Sequence, residues 1–93
     1  MNTELPKQHY RVDPHARFRV LDGEGIFVLQ KAGEVLVINQ VGAFIVEQLQ
    51  AERTLDDVVT AVTERYSVDR AQAQTDAGSL IEALLEAGAL AAS

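Results

Sequence analysis

The chain contains no cysteine and no tryptophan, and only two of its 93 residues are proline. Without thiols there can be no disulfide framework, no iron–sulfur ligation, no cysteine nucleophile and none of the common structural zinc sites, and a reducing compartment is the natural setting. No apolar run approaches the about 20 residues that cross a bilayer. The start, Met1 to Tyr10, holds Pro6, Lys7 and His9 where a secretion signal needs a greasy stretch, so a cytoplasmic location is expected. Positive charge is scarce as well: eight bases stand against fourteen acids, a formal charge of −6. That balance repels phosphate backbones unless the bases cluster, and they do not. What remains is ordinary globular chemistry, 47% hydrophobic and 24% charged, enough for one domain with one core.

Residues 1–16 hold both prolines and both histidines and show no periodicity, so a poorly ordered N-terminal tail is expected there. The domain is expected over 17–90, with a short C-terminal tail at 91–93. Arg17-Phe18-Arg19-Val20-Leu21 alternates at period two, Asp22-Gly23-Glu24-Gly25 supplies turn residues, and Ile26 to Gln30 is β-branched and aromatic. Lys31-Ala32-Gly33-Glu34 interrupts that character and Val35-Leu36-Val37-Ile38 resumes it, which predicts a hairpin of the second and third strands.

After Ile38 the period changes to about 3.6. Asn39 caps a first helix with Val41, Phe44, Ile45 and Leu49 on one stripe. Thr54 and Asp57, three apart, open a second helix carrying Leu55, Val58, Val59, Val62 and Tyr66. Asp69, followed three residues later by Gln72, opens a third with Ala73, Ala77, Leu80, Ile81, Leu84 and Leu85 before Gly88 ends it. A three-stranded sheet cannot stand alone in water. The expected fold is therefore α+β and winged helix-turn-helix-like, a three-stranded antiparallel sheet followed by three helices.

A meander of three strands leaves its last strand with no successor to pair with. Natural edges are blunted by proline, lysine or inward charge, and Val35 to Ile38 contains none of these. Such an edge is either a liability or a binding site. Beside it, Asp76, Ser79, Leu80, Ala83 and Ala87 recur three or four residues apart along one side of the third helix. The same spacing also suits Leu80 and Leu84 as core and Asp76 as a solvated charge. Gly78, mid-helix, costs roughly 1 kcal/mol against alanine and suggests a close packing contact.

From about Arg17 to Leu90 the chain resembles the PqqD-like family, named for a pyrroloquinoline quinone biosynthesis protein and also called RiPP recognition elements. The resemblance rests on Val35-Leu36-Val37-Ile38-Asn39 at the strand-to-helix junction and on Arg53-Thr54-Leu55-Asp56-Asp57-Val58-Val59 opening the second helix. It continues in Asp76 followed by Leu80, Leu84, Leu85, Gly88 and Leu90. The resemblance implies a peptide-binding domain without catalysis or cofactor. Its ligand would be the leader of a precursor peptide, added as a strand beside Val35 to Ile38 and lying against the third helix. Its protein partner would be a modifying enzyme such as a radical SAM enzyme or a leader peptidase. Ala32-Gly33-Glu34 and Gln50-Ala51-Glu52 stand where quinone-pathway members commonly carry Pro-Glu and Asp-Gly pairs, which leaves the pathway open between quinone and other peptides, lasso peptides included.

Other functions fit the residues less well. His9 and His15 have no recognisable catalytic partners, Gly23 and Gly25 do not sit between a strand and a helix, and Asp56 and Asp57 are explained as helix-start charges. A module for protein–protein contact or dimerisation, with two copies pairing through the open edge, is the nearest alternative. A winged-helix DNA-binding regulator is the other, but between Asp69 and Gly88 the only base is Arg70, against Asp69, Asp76, Glu82 and Glu86. Duplex DNA should accordingly run unretarded in a gel-shift assay at low salt; a salt-sensitive retarded band would restore the regulator reading.

Overall fold

The computed structural model describes residues 9–92. In chain order the elements are β1 (Tyr10–Val12), β2 (Ala16–Leu21), β3 (Glu24–Leu29), β4 (Glu34–Ile38), α1 (Gln40–Gln50), α2 (Leu55–Tyr66), α3 (Arg70–Ala87) and β5 (Leu90–Ala92). Strands β2, β3 and β4 form an antiparallel sheet in that order, and β1 pairs with β5 in a separate two-stranded ribbon. The α+β, winged helix-turn-helix-like architecture expected from the sequence is present.

The β2–β3 connection is a two-residue turn, tighter than the four-residue stretch suggests. Asp22 and Gly23 both take positive φ, 54° and 82°, as a turn that matches strand twist requires. Gly25 belongs to β3, not to the turn. It lies between Val20 and Ile38 in the ladder, and a Cβ there would come 2.7 Å from Ile38 Cγ1 and 2.8 Å from Phe18 Cε1. Phe18 and Ile38 therefore close over a bare backbone.

One sheet face is the floor of the core. Phe27 and Leu29 are buried with Ala16, and Phe18 stacks on Phe27 with ring centroids 4.8 Å apart. Over them lie Ile45, Val46 and Leu49 of α1, then Val58, Val59 and Val62 of α2, then Ala73, Ala77, Ile81 and Leu84 of α3. Each buried valine, leucine, isoleucine or phenylalanine among them contributes on the order of 1.5–3 kcal/mol, and the alanines less. The caps follow the sequence closely at α1 and α2. Asn39 Oδ1 accepts from the Gly42 amide at 2.8 Å, and Thr54 and Asp57 cap each other reciprocally at 3.2 and 3.3 Å. Helix α3 ends at Gly88 in the left-handed region, as expected, but the Asp69 side chain makes no capping bond. Gln72 instead donates to Asp76 Oδ1 at 2.8 Å, one turn onward. Across the helix pair, Arg70 ties α3 to α2 through Asp56 at 2.6 Å and Thr60 at 3.0 Å.

The terminal tails need correction. Tyr10, Arg11 and Val12 pair with Ala92, Ala91 and Leu90, the Asp13 amide donates to the Ala89 carbonyl at 2.9 Å, and Ala16 is buried. Order here comes from joining the two ends of the chain, for which no local periodicity exists. His9 is half-buried rather than exposed, while residues 1–8 and Ser93 lie outside the described residues. The Gly78 expectation also changes, since a Cβ there would meet nothing within 4 Å. Gly25 is the glycine that the packing requires. Gly25→Ala should cost about 1–3 kcal/mol by overpacking and lower the thermal midpoint by about 4–8 °C per kcal/mol, whereas Gly78→Ala should be neutral or stabilising. Thermal denaturation of the two variants followed by circular dichroism checks the contrast.

Candidate functional site

The phase of the β2–β3 hairpin decides what β4 offers to its surroundings. A two-residue turn makes the flanking pair, Leu21 and Glu24, a hydrogen-bonded one, and bonded pairs then alternate along the ladder. Glu24, Ile26 and Val28 thus direct their N–H and C=O groups toward β2, and Gly25, Phe27 and Leu29 toward β4. Their partners Ile38, Leu36 and Glu34 are engaged in return. Val35 and Val37 are left with N–H and C=O groups aimed at the open side of the sheet. Among the described residues no strand pairs with that side.

Side chains alternate with the opposite sense. Leu36 and Ile38 pack against the core, whereas Val35 and Val37 are 60% and 58% exposed on the outer face. Each predicted β4 residue thus has a separate position: backbone of Val35 and Val37 at the edge, side chains of Leu36 and Ile38 on the inner side.

Helix α3 packs chiefly on α2 and β5 rather than on β4. Two hollows lie along its flank. The larger, about 420 Å³, is lined by Asn39, Val41 and Gly42 just beyond β4, by Tyr66 at the end of α2 and Val68 after it, and by Asp76 and Leu80 of α3 among others. The smaller, about 230 Å³, joins Leu29, Lys31 and Ala32 of the β3–β4 turn to Ala87 and Gly88 at the end of α3, with Asp13 and His15 on its rim. Because the start of α3 lies near the end of β4 and its end near the turn before β4, helix and strand run antiparallel. At about 100° per residue, Asp76, Leu80, Ala83 and Ala87 fall along one flank of α3 and Gly78 on the other.

Of the predicted helix residues, then, Asp76 and Leu80 line the larger hollow and Ala87 the smaller, while Ser79 and Ala83 are exposed and line neither. Sequence reasoning missed Val41, Gly42, Tyr66 and Val68 as lining residues. Their convergence depends on the angle between α1 and α2, which Phe44 and Tyr66 help to set by edge-to-face contact at 5.6 Å, with Arg65 over both rings. Asn39 was expected as the cap of α1, not as a lining residue, and it lines the hollow because that cap sits at the end of β4.

The electrostatics are mild. The Asp13 carboxyl is held below its ordinary value, first by the His15 backbone N–H at 2.8 Å, with His15 Nδ1 3.4 Å away. Asp76 presents a carboxylate to an otherwise mostly apolar hollow and keeps capacity to accept beyond the Gln72 bond. Among the described residues no acidic, histidine or cysteine cluster could hold a metal ion, and no helix is long and apolar enough to cross a membrane.

The fold is an α+β, winged helix-turn-helix-like domain with an open strand edge beside a helix flank, a geometry able to accept an added strand. The family model "Coenzyme PQQ synthesis protein D (PqqD)" matches residues 17–90, and the chain belongs to the PqqD family. Among solved structures it is similar to a lasso peptide synthetase B1 complexed with its leader peptide, at 26% identity and a TM-score of 0.82 over 89% of this chain and 98% of that one. It is also similar to TbiB1 in complex with the TbiA(beta) leader peptide, at 22% identity and a TM-score of 0.80 over 86% and 93%. No curated protein matches the sequence.

The alternation in β4 can be tested without any ligand. Val37→Pro removes an N–H that serves no ladder bond and should leave the fold intact, whereas Leu36→Pro deletes a bond to Phe27 and should unfold or strongly destabilise the domain. Chemical denaturation of both variants reads the difference, and equal damage by the two would contradict the assigned phase.

Proposed function

We propose that this domain captures the leader segment of a ribosomally made precursor peptide as an added strand on β4 and delivers it, without catalysis of its own, to a modifying enzyme. The observation that carries this reading is the pair of outward N–H and C=O sets at Val35 and Val37, bordered by two hollows along α3. An extended segment satisfies those four backbone groups whatever its sequence. Its inward side chains then enter the hollows, which select the register. The two structural neighbours are each described in complex with a leader peptide, one of them as a lasso peptide synthetase B1, and this supports the ligand class.

Selectivity is assigned to the larger hollow. Val41, Tyr66, Val68 and Leu80 favour an apolar leader side chain, and Asp76 favours one that also brings a hydrogen-bond donor. Ser79 and Ala83 extend the same approach along α3. Delivery follows from tethering: a leader held on β4 leaves the core peptide free, and an enzyme docked on the same domain meets that core at raised effective concentration. The enzyme is of the radical SAM or leader-peptidase kind. Micromolar affinity, roughly −8 kcal/mol, suffices for capture and release. The same edge in a leader-free domain can pair with a second copy.

Titrating cognate leader into the isotopically labelled domain should shift the Val35 and Val37 amides most, with Asn39, Gly42 and Leu80 next; binding that leaves the β4 amides unmoved would refute strand addition. Val37→Pro should abolish the binding. Asp76→Ala should weaken it about 5–10-fold, the effect of one hydrogen bond, at unchanged melting temperature. Isothermal titration calorimetry gives both values.

A further inference from the structure

The outer face of the sheet is covered by nothing described here. Its rows run Arg17–Val28–Val35 and Arg19–Ile26–Val37, with Leu21 and Glu24 at the hairpin end. Val28 is 42% exposed and Leu21 56%, and Val35 and Val37 are barer still. A sheet with one face in solvent ordinarily carries polar residues on that face. Threonine supports a strand as well as valine does, so the fold itself does not require valine at these positions. Apolar surface gathered on one side of a small domain marks a contact site.

Charge gives the face a second mark. Nine of the fourteen acids lie in the helical half, where Arg53, Arg65 and Arg70 meet Glu47, Glu52, Asp56, Asp57, Glu64, Asp69, Asp76, Glu82 and Glu86. On the outer sheet face two cations face a single acid, Glu24. Among the described residues neither Arg17 nor Arg19 has an ion-pair or hydrogen-bond partner, although acids are plentiful in the chain. The geometry also limits the partner's shape. Three strands span two spacings, about 10 Å, which is the width of one α-helix at about 10–12 Å.

We propose that the outer face of β2, β3 and β4 docks an amphipathic acidic helix of the enzyme that acts on the captured peptide. Its apolar stripe lies over Ile26, Val28, Val35 and Val37, and its carboxylates lie over Arg17 and Arg19. Naming the enzyme as the owner of that helix rests on the leader-binding reading above. The position is suited to it: a leader added at β4 lies at the border of this face, so its outward side chains and Val35 and Val37 present one continuous surface.

The test uses the full, leader-free chain and two synthetic helical peptides as probes, one with a leucine stripe flanked by glutamates and the other with lysines in place of the glutamates. The glutamate peptide should shift the amides of Arg17, Arg19, Ile26, Val28, Val35 and Val37 and leave Tyr66, Val68 and Asp76 unmoved. Its affinity should fall about tenfold in Arg17→Glu/Arg19→Glu and several-fold in Val28→Thr, and should weaken with added salt. Leader affinity in those variants should be unchanged. Equal binding of the lysine peptide, shifts confined to other surfaces, or no shift at millimolar peptide would overturn the proposal. So would shifts of the same amides on raising protein concentration alone, which would assign the face to a second copy. Since no leader is present in these titrations, their failure leaves leader capture standing, and a failed leader titration leaves this result standing.

Discussion

The phase of the β-ladder is the constraint on which the rest of the molecule depends. Two residues with positive φ, Asp22 and Gly23, join β2 to β3 and thereby decide which residues of β3 bond to which neighbour. One residue more in that turn would exchange the roles of every position in β3 and β4. As built, Phe27 and Leu29 face the helices while bonding to β4, and among the described residues no strand pairs with the outward backbone groups of Val35 and Val37. Core packing and an added strand would thus use the same strand without competing: side chains of Leu36 and Ile38 serve the core, and the backbone of Val35 and Val37 faces the open side of the sheet.

Close packing near that strand extends the constraint. Gly25 allows Phe18 and Ile38 to meet over the sheet, which holds the end of β4 beside Asn39. Asn39 in turn fixes the first turn of α1 through the Gly42 amide, and Gly42 lines the larger hollow. On the other wall, Arg70 locks the start of α3 to α2, and the Ala89 contact to Asp13 holds its end against the chain's first strand. A helix held at both ends can stand off from β4 and leave room between them. A second extended chain needs such a space, about one strand spacing wide.

Charge and apolar surface are also partitioned. The helical half carries nine of the fourteen acids and contributes Asp76 to the hollow, whereas the outer sheet face carries valines and two arginines that are unpaired among the described residues. A peptide ligand and a protein partner would therefore meet surfaces of different character on the two sides of one strand. That division would let a small domain hold both proposed partners at once, since the backbone of β4 points to one side and the side chains of Val35 and Val37 to the other.

Much of the local order was legible in the residues, although Gly25 proved to lie in β3 rather than in the turn and Asp69 makes no capping bond. Period-two alternation marked β2, β3 and β4, the change to 3.6 at Asn39 marked the helices, and the Thr54–Asp57 pair marked the start of α2, because strands, helices and caps are decided by neighbours within a few residues. The unblunted edge at Val35 to Ile38 was legible for the same reason. Tertiary structure alone decided the ribbon of Tyr10–Val12 with Leu90–Ala92, the need for Gly25, and the meeting of Tyr66, Val68, Asp76 and Leu80 in one hollow. Each of these joins residues from elements far apart in the chain, and their approach is set by how helices pack on the sheet, a property that no local spacing encodes.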